Sequence, residues 1–334
     1  MGLARLLSEK KKGRRGEGIM IKYIGKRILM MIPVMFGVTL LIFTLLYFAN
    51  GDPARNLLGA EATEEEVQEL RDEWGLDDPY LVRYGNYLKQ LLVDRSLGVS
   101  YVNKKEVSTE IVARFKVSFA IAVESTIIAV LFGTVMGVLA ATHQNTWVDN
   151  ASMVAALVGA SMPGFWIGLV LSIVFALKLG WLPSSGWGTF KESLLPCISL
   201  AIGAAGGLAR QTRSSMLEVI RQDYIVTAKA KGVSKFKVTY VHALRNALIP
   251  VVTAAGGTLS WLMGGVVVTE TVFSIPGLGM YMVTAINQRD YPVIQGSVLY
   301  IALTFSLVML AVDILYAYID PRIKARYKTA KTVK

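Results

Sequence analysis

Six stretches of this 334-residue chain carry almost no charge: Ile28–Phe48, Val117–Thr142, Ala151–Leu177, Ser193–Leu208, Ala247–Thr269 and Val293–Ile319. Each approaches or reaches the roughly 20 residues a helix needs to cross hydrocarbon. In lipid the backbone must satisfy its own hydrogen bonds, so such segments form helices. The expectation is an all-α membrane protein with six transmembrane helices. The fourth stretch is the shortest, and its Pro196, Gly203, Gly206 and Gly207 are tolerable only where neighbouring helices satisfy the backbone.

The net charge of +11 could point to nucleic acid, but its placement points to a membrane. Lys10, Lys11, Lys12, Arg14, Arg15, Lys22, Lys26 and Arg27 precede the first span, and Arg322, Lys324, Arg326, Lys328, Lys331 and Lys334 follow the last. Arg213, Arg221, Lys229, Lys231, Lys235 and Lys237 lie in the loop between spans four and five, whereas Asp52–Glu110 is acidic on balance. With an even number of spans all three basic segments share one side, as positive-inside topology requires. No nucleic-acid module or aromatic-interleaved basic patch is present. The first apolar run is too long for a signal-peptide core and is expected to remain as a span.

These boundaries divide the chain into a flexible tail (1–22), a first transmembrane helix (23–49), an outer region (50–115), a five-helix membrane domain (116–319) containing a loop at 210–246, and a second tail (320–334). The outer region has its own helix grammar. Thr63 with Glu66 forms a capping box, Gly75 closes that helix, and Asp78-Pro79 opens another. Leu81, Tyr84, Leu88, Leu91 and Leu92 form its apolar stripe. The block reads as a packed cap, a docking surface, or both. Gly133-x-x-x-Gly137 presents a small-residue face for close helix packing.

Three carboxylates fall in or near spans: Glu124, Glu270 and Asp313. Without a His or Lys partner in a span they make a poor proton relay, and structural hydrogen bonding is expected of Glu124 and Asp313. Glu270, Phe273, Pro276 and Gly277 have the composition of a cavity mouth and are candidates for an outer gate or pathway lining. No phosphate-binding Gly-x-x-x-x-Gly-Lys-Ser/Thr loop occurs, the two histidines make no metal pair, and Cys197 is alone. No catalytic residue and no metal site is assigned. The chain is read as a pathway rather than an enzyme.

The loop is the most informative segment. Asp223 is suited to N-cap a helix, Gly232 to end it, and Tyr224–Lys231 spans about two turns. Ser234 opens a second helix, which carries Phe236, Tyr240, Val241 and Leu244 towards Pro250. A two-turn helix is marginal alone, so a partner must hold it. Ala228 and Ala230 permit close approach, and Lys229 and Lys231 suit the helix C-terminus.

Tyr224-x-x-Thr227-Ala228-x-Ala230-Lys231-Gly232, followed by His242-Ala243-Leu244-Arg245-Asn246-Ala247 and Pro250, resembles the inner loop of ABC importer permeases of the dipeptide/oligopeptide family. Gly51-Asp52-Pro53, Asp94–Gly98, Glu270–Gly279, Arg289–Pro292, Asp313–Tyr316 and Asp320–Arg322 match the same family in order. Val226-Thr227-Ala228 replaces the Glu-Ala-Ala of the wider importer loop, so a Glu-mediated contact is not carried over. The resemblance implies a type I importer transmembrane fold with a small helical outer insertion. It implies that Tyr224–Gly232 is the coupling helix in a groove of an ATPase subunit, supported by His242, Arg245, Asn246 and Pro250. It further implies a second homologous permease, two cytoplasmic ATP-binding subunits that hold ATP and Mg, and an extracytoplasmic solute-binding protein. The cell membrane of a bacterium or archaeon follows, with both termini cytoplasmic. Peptides are the expected cargo, with nickel chelates, glutathione or another small solute as alternatives. An ion-coupled secondary transporter would show a paired charge network or broken helices, neither of which is legible in the sequence.

Overall fold

The computed structural model describes residues 2–319, with side chains from 24 to 315; the C-terminal tail and its basic cluster lie outside the described residues. Among these residues the chain is helical, with one isolated bridge between Val99 and Glu106. The outer region comprises α2 (Pro53–Leu58), α3 (Glu64–Glu73) and α4 (Tyr80–Leu92), after α1 (Gly2–Tyr47). The helix α1 starts at Gly2, where an irregular tail is expected.

Among the described residues five helices are long and apolar enough to cross a membrane: Ile24–Tyr47 of α1, α5 (Val107–Thr142), α8 (Phe190–Ile220), Lys237–Val272 containing α10 (Leu244–Val272), and Tyr291–Leu315 of α12 (Tyr291–Ile319). The sixth expected span is broken. Helices α6 (Trp147–Ser161) and α7 (Gly164–Leu171), the latter running into a π-helical turn at Ser172–Lys178, meet at a bend of 100°. Pro163 stands at that corner as the cap of α7, where it cannot continue the α6 hydrogen-bond ladder. This corrects the expectation of an unbroken third span. Two short elements complete the chain, α9 (Asp223–Ala230) and α11 (Leu278–Gln288).

The fourth span corrects its expectation most. It is the long helix α8 around which α5, α6, α7 and α10 pack. Small residues let the backbones approach. A Cβ on Gly133 would lie 2.7 Å from Leu208 Cβ and 2.8 Å from the Ala205 carbonyl oxygen, and one on Gly137 would lie 2.5 Å from the Ala209 carbonyl oxygen. The charges that end the apolar run do not end the helix, because Arg213 is paired inside the bundle with Asp149 of α6. The main core unites Ile121 of α5, Leu195 and Leu200 of α8, Leu262 and Val266 of α10, and Phe273 just after it. At the periphery α1 packs on α12, joined by Arg27 and Asp313 at 2.7 Å. Asp313 is therefore paired rather than isolated.

In the outer block the capping box forms. Glu66 N donates to Thr63 Oγ1 at 3.3 Å and Thr63 N to Glu66 Oε2 at 2.8 Å. Gly75 follows the end of α3 with φ +62°. The expected stripe of α4 forms in part: Tyr84 is buried and Leu88 and Leu91 are half-buried, but Leu81 is 78% and Leu92 70% exposed. The inward face is aromatic: Tyr87 stacks on Phe43 of α1, Tyr80 meets that ring edge-on and Tyr84 at a tilt. Tyr84 Oη lies 3.1 Å from Thr39 Oγ1 and Tyr80 Oη 2.7 Å from Thr44 Oγ1. Helix α4 therefore runs alongside the end of α1, where rings with a polar tip serve better than leucine.

Candidate functional site

The loop helix forms with small shifts from its expected ends. Asp223 is its first residue rather than its cap; Gln222 holds the cap position without a side-chain bond. Gly232 adopts φ +76°, and Val233 N reaches back to the Ala228 carbonyl at 3.2 Å, so the left-handed residue closes the helix. Ser234 caps the next helix through Lys237 N at 3.5 Å, and that helix passes through a π-helical turn, Lys237–Ala243, before α10. Pro250 lies inside α10 without ending it.

One residue anchors α9. Ile225 is fully buried among Met216 of α8, Val238 and Ala243 of the π turn, Ala247 of α10, and Val138 and Ala141 of α5. The rest of the helix faces out: Tyr224, Thr227, Lys229, Ala230, Lys231 and Gly232 are exposed and Ala228 is half-buried. A second tie is polar. Asn246 Nδ2 donates to Tyr224 Oη at 2.8 Å and to the His242 carbonyl at 3.0 Å. His242 contributes through its backbone, whereas Arg245 is exposed and makes no hydrogen bond or ion pair among the described residues. The loop is therefore a rigid foot whose free face shows methyl groups, backbone and positive charge.

Immediately above the foot, Arg213 Nε and Nη2 each meet an Asp149 carboxylate oxygen at 2.6 Å, with Asp149 2% exposed. Sequence inspection counts Arg213 only as one basic residue in the loop. Its position two turns before the end of α8, and an acid at the start of the third span, were the available signals. Ile225 escapes notice because the equally apolar Val226 stands beside it, and two turns give no periodicity to tell the buried one from the exposed one.

At the opposite end of α10, three of the four residues considered for a gate, Glu270, Phe273 and Gly277, come together, but as a clasp. Glu270 is fully buried and Phe273 is 2% exposed. Ser118 Oγ of α5 donates to Glu270 and accepts from Leu278 N at 2.9 Å, while Met280 N donates to Glu270 Oε2 at 2.9 Å. The carboxylate thus satisfies the first turn of α11, where unpaired N–H groups and the positive helix end favour it. Gly277 and Gly279 carry no Cβ where Glu270 lies against them. Phe273 seals the corner against Gly168 of α7, and its carbonyl accepts from Gly186 N at 3.1 Å. Pro276 lies beside this corner on the wall of a separate cavity. Glu124 meets Cys197 of α8 at 3.5 Å between Oε2 and Sγ, which makes it a contact between α5 and α8. No cluster of metal-ligating side chains occurs among the described residues.

A family profile described as binding-protein-dependent transport system inner membrane component matches residues 133–325, and the N-terminal profile of the same system matches residues 20–122. The chain is 41% identical over 333 residues to a dipeptide transport system permease protein of Alkalihalophilus pseudofirmus, covering 91% of this chain and 100% of that one. It is 42% identical over 309 residues to a glutathione transport system permease protein of Escherichia coli, covering 92% and 100% respectively. Among solved structures, an inward-facing MetNI methionine ABC transporter aligns with TM-score 0.53 at 21% identity, over 63% of this chain and 96% of that chain, which speaks for the fold. The chain therefore belongs to the inner membrane permeases of binding-protein-dependent transport systems, the transmembrane, non-catalytic subunits of ABC importers.

Proposed function

We propose that this permease forms half of the pathway of an ATP-driven peptide importer, beside a second homologous permease. Two cytoplasmic ATPase subunits drive it, and an extracytoplasmic binding protein supplies it. The observation that carries the reading is α9, a short helix fixed to three spans through Ile225 and Asn246 yet exposed on its other side. A helix held this way moves with α8 and α10 as one body. Nucleotide binding that draws the ATPase subunits together would rotate those spans and exchange access between the faces. ATP and Mg belong to the ATPase subunits in this arrangement.

Both termini and α9 then lie in the cytoplasm, and α2–α4 outside, following the basic segments. The relatives named for dipeptide and glutathione transport support a peptide-like cargo. The Glu270–Phe273 corner, sealed in this structure, is the part of the outer gate that must open. Ala228→Cys should cross-link to the co-assembled ATPase subunit, with yield that depends on nucleotide. The complex should take up a dipeptide or glutathione only with ATP and the binding protein. An Ala228→Cys protein that never meets the ATPase subunit, in any nucleotide state, ends the coupling assignment.

A further inference from the structure

Where the outer loop, the start of α5 and α11 meet, they enclose a cavity of about 350 Å³. Asn103, Arg114, Ser274, Tyr281, Thr284 and Gln288 are among its walls. It adjoins the Glu270 clasp at Met280 but takes no part in the coupling described above.

Its polar groups are not all satisfied. Arg114 Nη2 donates to Glu110 Oε2 at 2.9 Å, and the guanidinium lies 4.3 Å from the centre of the Tyr281 ring. The Arg114 Nε–H is buried and has no acceptor. The Tyr281 hydroxyl, beside Asn103, is also buried and meets no partner at hydrogen-bond geometry. Glu110 is shared with Lys105 at 3.5 Å, so two cations face one carboxylate. The acid on the wall itself, Asp290, is committed to the segment before α5 through Ser100 Oγ and the Tyr101 N–H. The cavity therefore offers two idle buried donors, the Arg114 Nε–H and the Tyr281 hydroxyl, and buried donors without acceptors are costly.

We propose that this cavity is a carboxylate-binding site for the free carboxylate end of a short peptide on its way to the pathway, with Arg114 and Tyr281 as its donors. Guanidinium matches a carboxylate in shape and in donor count. A volume near the lower end of small-molecule sites holds a terminal residue or two. The inference rests on the peptide reading above; a dipeptide and glutathione share the free carboxylate.

The test uses the intact complex in nanodiscs without the binding protein, with dialanine as the probe and saturation-transfer NMR as the readout. Dialanine should bind and dialanine amide should not. Arg114→Gln should weaken binding at least ~10-fold, with Arg114→Lys intermediate because it keeps charge and loses the planar fork. Arg114→Gln also breaks the contacts with Glu110 and Tyr281, so Thr284→Phe, which fills the cavity from its exposed rim, is the second variant and should weaken binding equally. Equal binding of the amide, or unchanged binding by both Arg114→Gln and Thr284→Phe, overturns the site. If these variants only raise the binding-protein concentration needed to stimulate ATP hydrolysis, the carboxylate belongs to the docked protein and the proposal fails. Uptake of dialanine by the unmutated complex with its binding protein separates the two readings. Uptake with an indifferent cavity sinks this inference alone; no uptake sinks both.

Discussion

Arg213 holds both carboxylate oxygens of Asp149, each at 2.6 Å, and so ties α6 to α8 just above the foot formed by α9. The pair is bidentate and Asp149 is nearly inaccessible, whereas Arg213 keeps 28% of its side chain exposed. Asp149→Ala leaves a half-buried cation without its partner. The expected loss is about 3 kcal/mol, the low end for a broken buried pair because solvent still reaches Arg213. Thermal unfolding of the purified complex reads this, and the double variant Asp149→Ala/Arg213→Ala should lose less than the two single variants combined.

Gly232 supplies the left-handed turn between α9 and the next helix at φ +76°, and an added Cβ would meet nothing within 4 Å. Substitution there acts through backbone strain, about 1–2 kcal/mol for a residue with a Cβ. Gly232→Val should separate ATP hydrolysis from uptake, while Gly232→Asn, which tolerates this conformation better, should retain most coupling. Normal transport by Gly232→Val would count against a rigid foot.

Gly137 faces α8 so closely that its Cβ would lie 2.5 Å from both the Ala209 carbonyl oxygen and Thr212 Cβ. Gly137→Val should destabilise the bundle by about 3 kcal/mol, as overpacking against backbone does. Gly257→Ala, inside α10 where a Cβ meets open space, should not destabilise the chain and gains up to about 1 kcal/mol of helix propensity. Detergent-resistant melting temperatures compare the two.

Glu270 satisfies two elements at once, the Ser118 hydroxyl and the Met280 N–H. Glu270→Ala strands these donors and should loosen α11, raising protease sensitivity between Ser274 and Gln288. Glu270→Gln keeps an acceptor and should remain close to the parent. Equal sensitivity of both variants would show that the clasp does not hold the corner.

Arg71 bridges Asp52 and Asp77 in the outer block. Its guanidinium, with Gln68, holds the Asp77 carboxyl down to about 2 from an ordinary 3.8. A depressed carboxyl contributes stability above its unfolded value and loses it as pH falls through the folded one. The block should therefore weaken between about pH 4 and pH 2. Arg71→Met should flatten that window while lowering stability at neutral pH. Fluorescence of Trp74, stacked on Tyr101 at 3.7 Å, reports it.

Much of this protein is determined by local chemistry and so is legible in its sequence. The absence of charge over about 20 residues dictates membrane helices because lipid offers no hydrogen bonds. Thr63 with Glu66 and the glycines at 75 and 232 set helix ends because capping acts over a few residues. The family motifs single out the loop at 210–246 for the same reason: they are contiguous. Tertiary structure alone decided the rest. Arg213 and Asp149 lie 64 residues apart, and their meeting depends on how two helices cross. The break between α6 and α7 follows from packing around α8, not merely from Pro163, since Pro33, Pro196 and Pro250 lie inside continuous helices. The burial of Glu270 and the aromatic face of α4 depend on what stands opposite them. Local preference acts through neighbours in the chain, whereas partner choice is a property of surfaces that only the assembled bundle brings together.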